Sequence, residues 1–287
     1  MDSLDLVKEP YNLNVKSKMI FDFVFVVLVY RNTQDLEDFF SSLSLKNSKV
    51  IVVNSYYDET SEQRFREISL NNNADFLSVP NKGYGAGNNR GCEYALKNYH
   101  FRYLIISNAD VEIIQLNTEQ LSKYNNSIIA PKILTLSGKN QNPFMPYYST
   151  KVDIIKNWAY THRSRLIILI LSALARIIRE LYLRLLFPLF RHRRIYAAHG
   201  AFVILPFEFV YKFSPIYNER MFLFAEEEHL AQLARKNNVL IMYNPQIVIR
   251  HKEDGSTSSL GDNYNYVRES YLEYYKFWYK EKNEKNE

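Results

Sequence analysis

Residues 81–91, Asn81-Lys82-Gly83-Tyr84-Gly85-Ala86-Gly87-Asn88-Asn89-Arg90-Gly91, hold four of the chain's eight glycines. Further on, Ser107-Asn108-Ala109-Asp110-Val111 closes an apolar run. Glycine lacks a Cβ, so a backbone this rich in it accepts φ > 0 and approaches a bulky ligand at little steric cost. A plain turn does not need eleven residues of this composition between two ordered segments. An acidic residue just past a buried strand can hold a metal on a ligand's phosphates.

Outward from that stretch, strand and helix patterns alternate. Residues 21–30 (FDFVFVVLVY) form a β-branched and aromatic run suited to a buried strand. Residues 35–45 have helical spacing, 49–53 are a short apolar strand, 61–70 a helix and 76–79 a strand leading into the glycines. A helix over 87–99 and a strand over 103–106 then deliver Asn108 and Asp110. This order predicts an α/β fold with a mostly parallel central sheet, right-handed crossovers and ligand chemistry at the strands' carboxyl ends. In the second half, 128–133 and 201–205 read as strands and 225–236 as a helix. Two further strands, 240–243 and 247–251, flank an Asn244-Pro245 turn, and 264–278 is an aromatic-rich helix.

With 287 residues, 47% hydrophobic and 15% aromatic, the chain can bury a large core. Its one cysteine, Cys92, has no partner for an intramolecular disulfide, and a start containing Asp2, Asp5 and Glu9 is unlike a secretory signal, so a cytoplasmic location is expected. A net charge of +5 points to an anionic partner without separating nucleic acid, nucleotide diphosphate and lipid headgroups.

Arg163, Arg165, Arg176, Arg179, Arg184, Arg191, Arg193 and Arg194 concentrate in one stretch. Residues 166–187 are mainly apolar, but Arg176, Arg179, Glu180 and Arg184 interrupt the roughly 20-residue span needed to cross a bilayer. Arg165, Ser172, Arg176 and Arg179 are spaced seven, four and three apart, a narrow polar stripe on an otherwise apolar helix. Such a helix fits the headgroup region of an anionic membrane; a homodimer interface is the alternative.

The order Tyr30-Arg31-Asn32, NKGYGAGNNRG (81–91), SNADV (107–111), FLFAEEEHL (222–230) and IRHKEDGSTS (249–258) resembles the inverting nucleotide-sugar glycosyltransferases of family 2. It is most similar to the rhamnosyltransferase-like branch that builds bacterial surface polysaccharides, over roughly residues 21–280. The resemblance implies a GT-A-like, Rossmann-type nucleotide-binding fold with helical additions.

It also implies roles for individual residues. Tyr30, Asn32 and Asn54 would clasp the nucleoside base, with Asn54 standing where the family has an acidic residue. An amide still offers a donor and an acceptor to a pyrimidine edge. Asn81 and Asn88 would contact nucleoside and sugar, Lys82 or Arg90 would lie near phosphate, and Gly83, Gly85 and Gly87 would permit the approach. Asn108-Ala109-Asp110 takes the place of the Asp-x-Asp signature: Asp110 would carry Mn2+ or Mg2+ on the diphosphate, and Asn108 would hydrogen-bond the ribose or bind through water. His251 would be the second metal ligand, followed by Gly255-Ser256-Thr257-Ser258.

Inversion needs a general base for the acceptor hydroxyl. Glu227 aligns with that base and Glu226 would position it or the sugar, although His229 and Asn218 replace acidic residues of the pattern. Adjacent helical residues fan out by about 100°, so one or two of Glu226, Glu227 and Glu228 face any one site. Gly200, in His199-Gly200-Ala201-Phe202, falls on the acceptor side, and Arg268 matches a position that reaches toward the diphosphate.

The expected organisation is a polar arm (1–19), a donor-binding half (20–149), a basic amphipathic helical insertion (150–195), an acceptor and catalytic half (196–262) and a C-terminal aromatic helix (263–287). The expected partners are a dTDP- or UDP-linked sugar, a saccharide acceptor on polyprenyl diphosphate and the inner face of the cell membrane, with no nucleic acid. A nucleotidyltransferase that activates a sugar phosphate, or a non-catalytic sugar-nucleotide-binding subunit, would share the donor motifs.

Overall fold

The computed structural model describes residues 19–119, 121–124, 126–186, 193–252 and 263–281. The polar arm up to residue 18 and Gly255-Ser256-Thr257-Ser258 lie outside them.

The centre of the fold is β1 (Met19–Val29), whose residues Val24, Phe25, Val26 and Val27 are fully buried. A strand buried on both faces reads as a continuous apolar run because helices cover each side. Here Val24 and Val26 pack with Cys92 and Ala95 of α3 (Tyr84–Asn98). Phe23, Phe25 and Val27 pack instead with Leu36 and Phe39 of α1 (Thr33–Ser42) and with Phe65 and Ile68 of α2 (Glu59–Asn71). The period-two alternation of a strand sends the two sets to opposite cores. The first two helices have side-chain caps: Asn32 accepts from the Gln34 amide at 3.2 Å and Asp58 from the Ser61 amide at 2.9 Å.

β1 pairs in parallel with β2 (Ser48–Ser55) and β4 (Tyr99–Asn108), and β2 with β3 (Asp75–Val79). Beyond β4 the sheet changes character. It continues through β8 (Phe202–Pro206), β6 (Ile128–Thr135), β9 (Ile241–His251) and β5 (Val111–Leu116). β7 (Arg193–Ile195) also pairs with β9. β8 runs antiparallel to β4 and β6, and β9 antiparallel to β5 and β7, while β6 and β9 are parallel. The parallel order expected from the first strands is that of β3, β2, β1 and β4; beyond β4 the sheet is mixed.

Three local expectations change. The helix expected from residue 87 starts at Tyr84, so the glycines form its first turns and not a loop. The two strands around Asn244-Pro245 are one strand, with Pro131 opposite Asn244 and Lys132 opposite Val248, a bulge that absorbs the proline. Residues 111–116 are a strand that periodicity did not indicate.

α4 (Thr150–Thr161), α5 (Arg165–Leu181) and α8 (Tyr264–Tyr275) follow the sheet elements, together with α6 (Phe207–Phe213) and α7 (Glu226–Lys236). Tyr160 of α4, Tyr271 and Tyr274 of α8, and Met221 and Trp278 share a separate apolar cluster. Inside it Asp153 of α4 accepts from the hydroxyls of Tyr271 at 3.0 Å, Tyr274 at 3.2 Å and Tyr279 at 2.5 Å. Among the described residues, no helix is long and apolar enough to cross a membrane.

Candidate active site

The carboxyl ends of the first strands bring three predicted positions to one edge. In the parallel ladders Asn54 stands beside Val29 and Asn108 beside Leu28, so both flank the end of β1. Just past β1, Tyr30 meets Tyr57 edge-on at 5.5 Å and the Arg31 guanidinium lies 4.1 Å over the Tyr57 ring. Arg31 has φ 69°, a left-handed turn that swings the chain into α1. Asn54 is fully buried; its amide nitrogen reaches Ser78 Oγ at 3.4 Å, and its Oδ1 has no partner among the described residues. A buried acceptor left open in this way is suited to an incoming N–H.

The glycines serve the protein's own packing. A Cβ on Gly83, at φ 100°, would stand 2.1 Å from the Phe222 carbonyl oxygen, and one on Gly85 2.8 Å from Tyr217 Cβ. At Gly87 it would meet Leu28 at 2.5 Å, and at Gly91 Val26 at 2.3 Å. Within the chain, the close approach they permit is of α3 to the sheet and to residues 217–222. Asn81 and Lys82 are exposed beside this turn, with Asn81 Oδ1 accepting from the Gly83 amide at 3.2 Å. Asn88 is fully buried, donates to the Tyr84 carbonyl at 3.1 Å and leaves its Oδ1 without a partner among the described residues. Arg90 is paired with Glu93 and Glu219.

Asp110 and His251, far apart in the chain, come together because Val111 and His251 are partners in the β5–β9 ladder. Asp110 Oδ2 lies 3.3 Å from His251 Nε2, and both residues are buried. His251 Nδ1–H donates to Gln141 Oε1 at 2.9 Å, which turns Nε2 toward the carboxylate. Adjacent ligands on one first-row divalent ion stand about 3 Å apart, a spacing the two atoms match. Among the described residues no cluster of three or more His, Cys, Asp or Glu side chains is arranged to hold a metal. A divalent ion held by this pair would take its remaining ligands from phosphate and water.

Asp35 connects this pair to the base end: Asn32 Nδ2 donates to its Oδ2 at 2.7 Å, and Lys252 Nζ lies 3.4 Å from its Oδ1. Burial, followed by the nearby Asp110 charge, raises the Asp35 pKa.

The three glutamates at the start of α7 separate as expected. Phe224 at φ 75° and Ala225 at φ 66° are consecutive left-handed non-glycine residues, a costly turn that aims the helix start inward. Glu226 is buried, has an Oε1 with no partner among the described residues, and burial holds its pKa well above the ordinary value. Glu228 turns away toward Lys156 of α4 at 3.7 Å. Glu227 Oε1 accepts the Gly200 amide at 3.2 Å, and burial followed by the Glu228 charge raises its pKa to about 7.

The Gly200 carbonyl accepts from the Tyr84 hydroxyl at 2.9 Å. Gly200, expected on the acceptor side, therefore holds Glu227 directly, and a Cβ there would stand 3.0 Å from Glu227 Oε1. His199 accepts the Ala201 amide on Nδ1 at 3.1 Å; burial lowers its pKa to about 3, so it is neutral.

Arg268 does not join this constellation. Its Nε donates to the Tyr160 carbonyl at 2.8 Å, within the packing of α8 on α4. Sequence reasoning missed several residues. Asn89 clamps residue 217 through both its amide groups, accepting from the Tyr217 amide at 3.0 Å and donating to the Tyr217 carbonyl at 2.9 Å. Gln141 holds His251, and Asn142 accepts the His199 amide at 2.8 Å. The asparagine and glutamine cluster at 140–142 was the only available signal for the last two.

The chain matches no protein-family model. It is 27% identical over 136 residues to the low-salt glycan biosynthesis hexosyltransferase Agl10 of Haloferax volcanii, covering 45% of this chain and 43% of that protein. The chain thus spans less than half the length of the curated relative it matches. Among solved structures it is similar to GalNAc-T7 with UDP, GalNAc and Mn2+ (TM-score 0.57, 11% identity, 93% of this chain and 49% of that one). It is also similar to TarS of S. aureus (TM-score 0.51, 14% identity, 81% of this chain and 37% of that one). The mixed sheet with its covering helices is the GT-A fold of these glycosyltransferase structures.

Proposed function

We propose that this chain is a metal-dependent inverting glycosyltransferase of the family 2, rhamnosyltransferase-like kind. It moves rhamnose or another hexose from a dTDP- or UDP-linked donor to a saccharide acceptor on polyprenyl diphosphate, in surface polysaccharide assembly. The work is done at the cytoplasmic face of the cell membrane. The observation that carries this reading is Glu227: a half-buried carboxyl oriented by the Gly200 amide, with a pKa of about 7, in a chain that also pairs Asp110 with His251. A base poised near the working pH combines a large ionised fraction with a strong pull on a hydroxyl proton.

In this scheme the base seats against Tyr30 and the open Asn54 Oδ1, which suits the N3–H of uracil or thymine. Asn32, Asn108, Asn81, Lys82 and Asn88 line the path of ribose, diphosphate and sugar. Asp110 and His251 would hold Mn2+ or Mg2+, which supplies charge neutralisation on the departing diphosphate. Glu227 takes the acceptor hydroxyl proton as that oxygen bonds to the anomeric carbon, and the carbon–oxygen bond to phosphate breaks with its electron pair leaving on the nucleoside diphosphate. Glu226, whose pKa burial raises well above the ordinary carboxylate value, orients Glu227 or the sugar.

The test is a nucleotide-release assay with dTDP-rhamnose and UDP-hexoses, with Mn2+, Mg2+ or chelator, and a lipid-linked saccharide. The expected result is nucleoside diphosphate and a product of inverted anomeric configuration. Pyrophosphate release from a nucleoside triphosphate and a sugar phosphate, or donor binding with no turnover on any acceptor, would overturn it.

A further inference from the structure

α5 is a seventeen-residue helix with no buried residue, about 25 Å long. Its Leu166, Leu169, Ile170, Leu174, Ile177 and Leu181 are between 49% and 68% exposed. They recur at three- and four-residue steps and so form one continuous face. Large apolar side chains rarely gather this way on a surface that meets only water.

The charge around this face identifies what covers it. Residues 163–184 contain five arginines and one acid, Glu180, a local net charge of +4 (five minus one). Glu180 is paired with Arg179 at 3.4 Å, while Arg163, Arg165, Arg176 and Arg184 are exposed. A second copy docked face to face would bring two such surfaces together, whereas anionic lipid headgroups would neutralise both ends of one. Trp158 of α4, 49% exposed and stacked on His162, stands just before α5, and a tryptophan is at home where headgroups meet acyl chains.

We propose that α5 lies in the interfacial plane of a bilayer containing anionic lipid, its apolar face among the acyl chains and its arginines at the headgroups. The helix is fixed to the candidate active site: Arg179 donates to the Asn140 carbonyl at 2.5 Å and the Pro143 carbonyl at 2.9 Å. Between those two residues, Gln141 holds His251 and Asn142 holds His199. Docking therefore sets the cleft at a defined position relative to the membrane surface, where a lipid-linked saccharide presents its terminal sugar. Only that last point rests on the transferase reading.

The experiment is flotation of the full-length protein with vesicles of phosphatidylcholine alone or mixed with phosphatidylglycerol, at low and high salt, without donor or acceptor. The protein is expected to float with the mixed vesicles and to be released by salt. Arg176→Ala with Arg184→Ala should weaken the partition about thirty-fold. Leu174→Glu with Ile177→Glu should weaken it by about a hundred-fold or more, with circular dichroism and melting unchanged, since both side chains are exposed.

Failure of the wild type to float, equal binding to neutral vesicles, or a dimer that the glutamate pair converts to monomer in sedimentation velocity would overturn the proposal. Flotation without sugar transfer would overturn only the transferase reading.

Discussion

Replacing Glu227 with glutamine separates catalysis from stability in one substitution. The carboxyl titrates near 4.5 when solvated and at about 7 in the folded chain, through burial and then the Glu228 charge. Between those values the native state holds a proton that the unfolded state has released. Unfolding free energy therefore falls as pH rises from about 4.5 to about 7, and the loss is complete above 7.

A shift of that size corresponds to at most about 3 kcal/mol at 1.4 kcal/mol per unit. Glutamine keeps an oxygen for the Gly200 amide and carries no charge. At pH 8 the Glu227→Gln protein should melt about 5 °C above the wild type, with the two converging near pH 4.5. Its transfer rate should fall by about 10²- to 10⁴-fold, the usual contribution of a general base. The wild-type rate should rise through pH 7 to a plateau. The checks are melting scans across pH and nucleotide release on the same samples. A variant that melts no higher than wild type at pH 8, or that transfers sugar normally, refutes the assignment.

Asp110→Ala should abolish the Mn2+-dependent rise in melting temperature caused by the cognate nucleotide sugar, read by thermal shift against a chelator control. Gly91→Ala puts a methyl 2.3 Å from Val26 and 3.0 Å from Val53 in the central sheet; urea unfolding should show a loss of about 1–3 kcal/mol from overpacking. Asp153→Asn removes the charge on which three tyrosine hydroxyls converge, so stability should drop by about 2 kcal/mol while donor affinity measured by calorimetry stays unchanged.

What could be read from the sequence was what burial and strand periodicity write locally. β1 announces itself because both its faces are covered, and Asp110 and His251 stand out as polar residues ending apolar strands. β5 did not, because its Glu112, Ile114 and Gln115 lie at the sheet's edge and break the apolar run. The start of α3 was hidden because glycine lowers helix propensity, and only the packing against Leu28, Val26 and Tyr217 outweighs that cost. Gln141 and Asn89 act across more than a hundred residues of chain, a separation no local pattern encodes. The Nε of Arg268, a position matched by motif, donates to a backbone carbonyl of α4, a contact the motif does not encode.

The glycines of residues 83–91 are filled by Phe222, Tyr217, Leu28 and Val26. A descendant of this chain that lost Glu227 or Asp110 would still need every one of them to fold. The most recognisable signature in the sequence is thus a record of shape. A search keyed to it would gather chains that share this packing, whether or not they keep acids at the positions of Asp110 and Glu227.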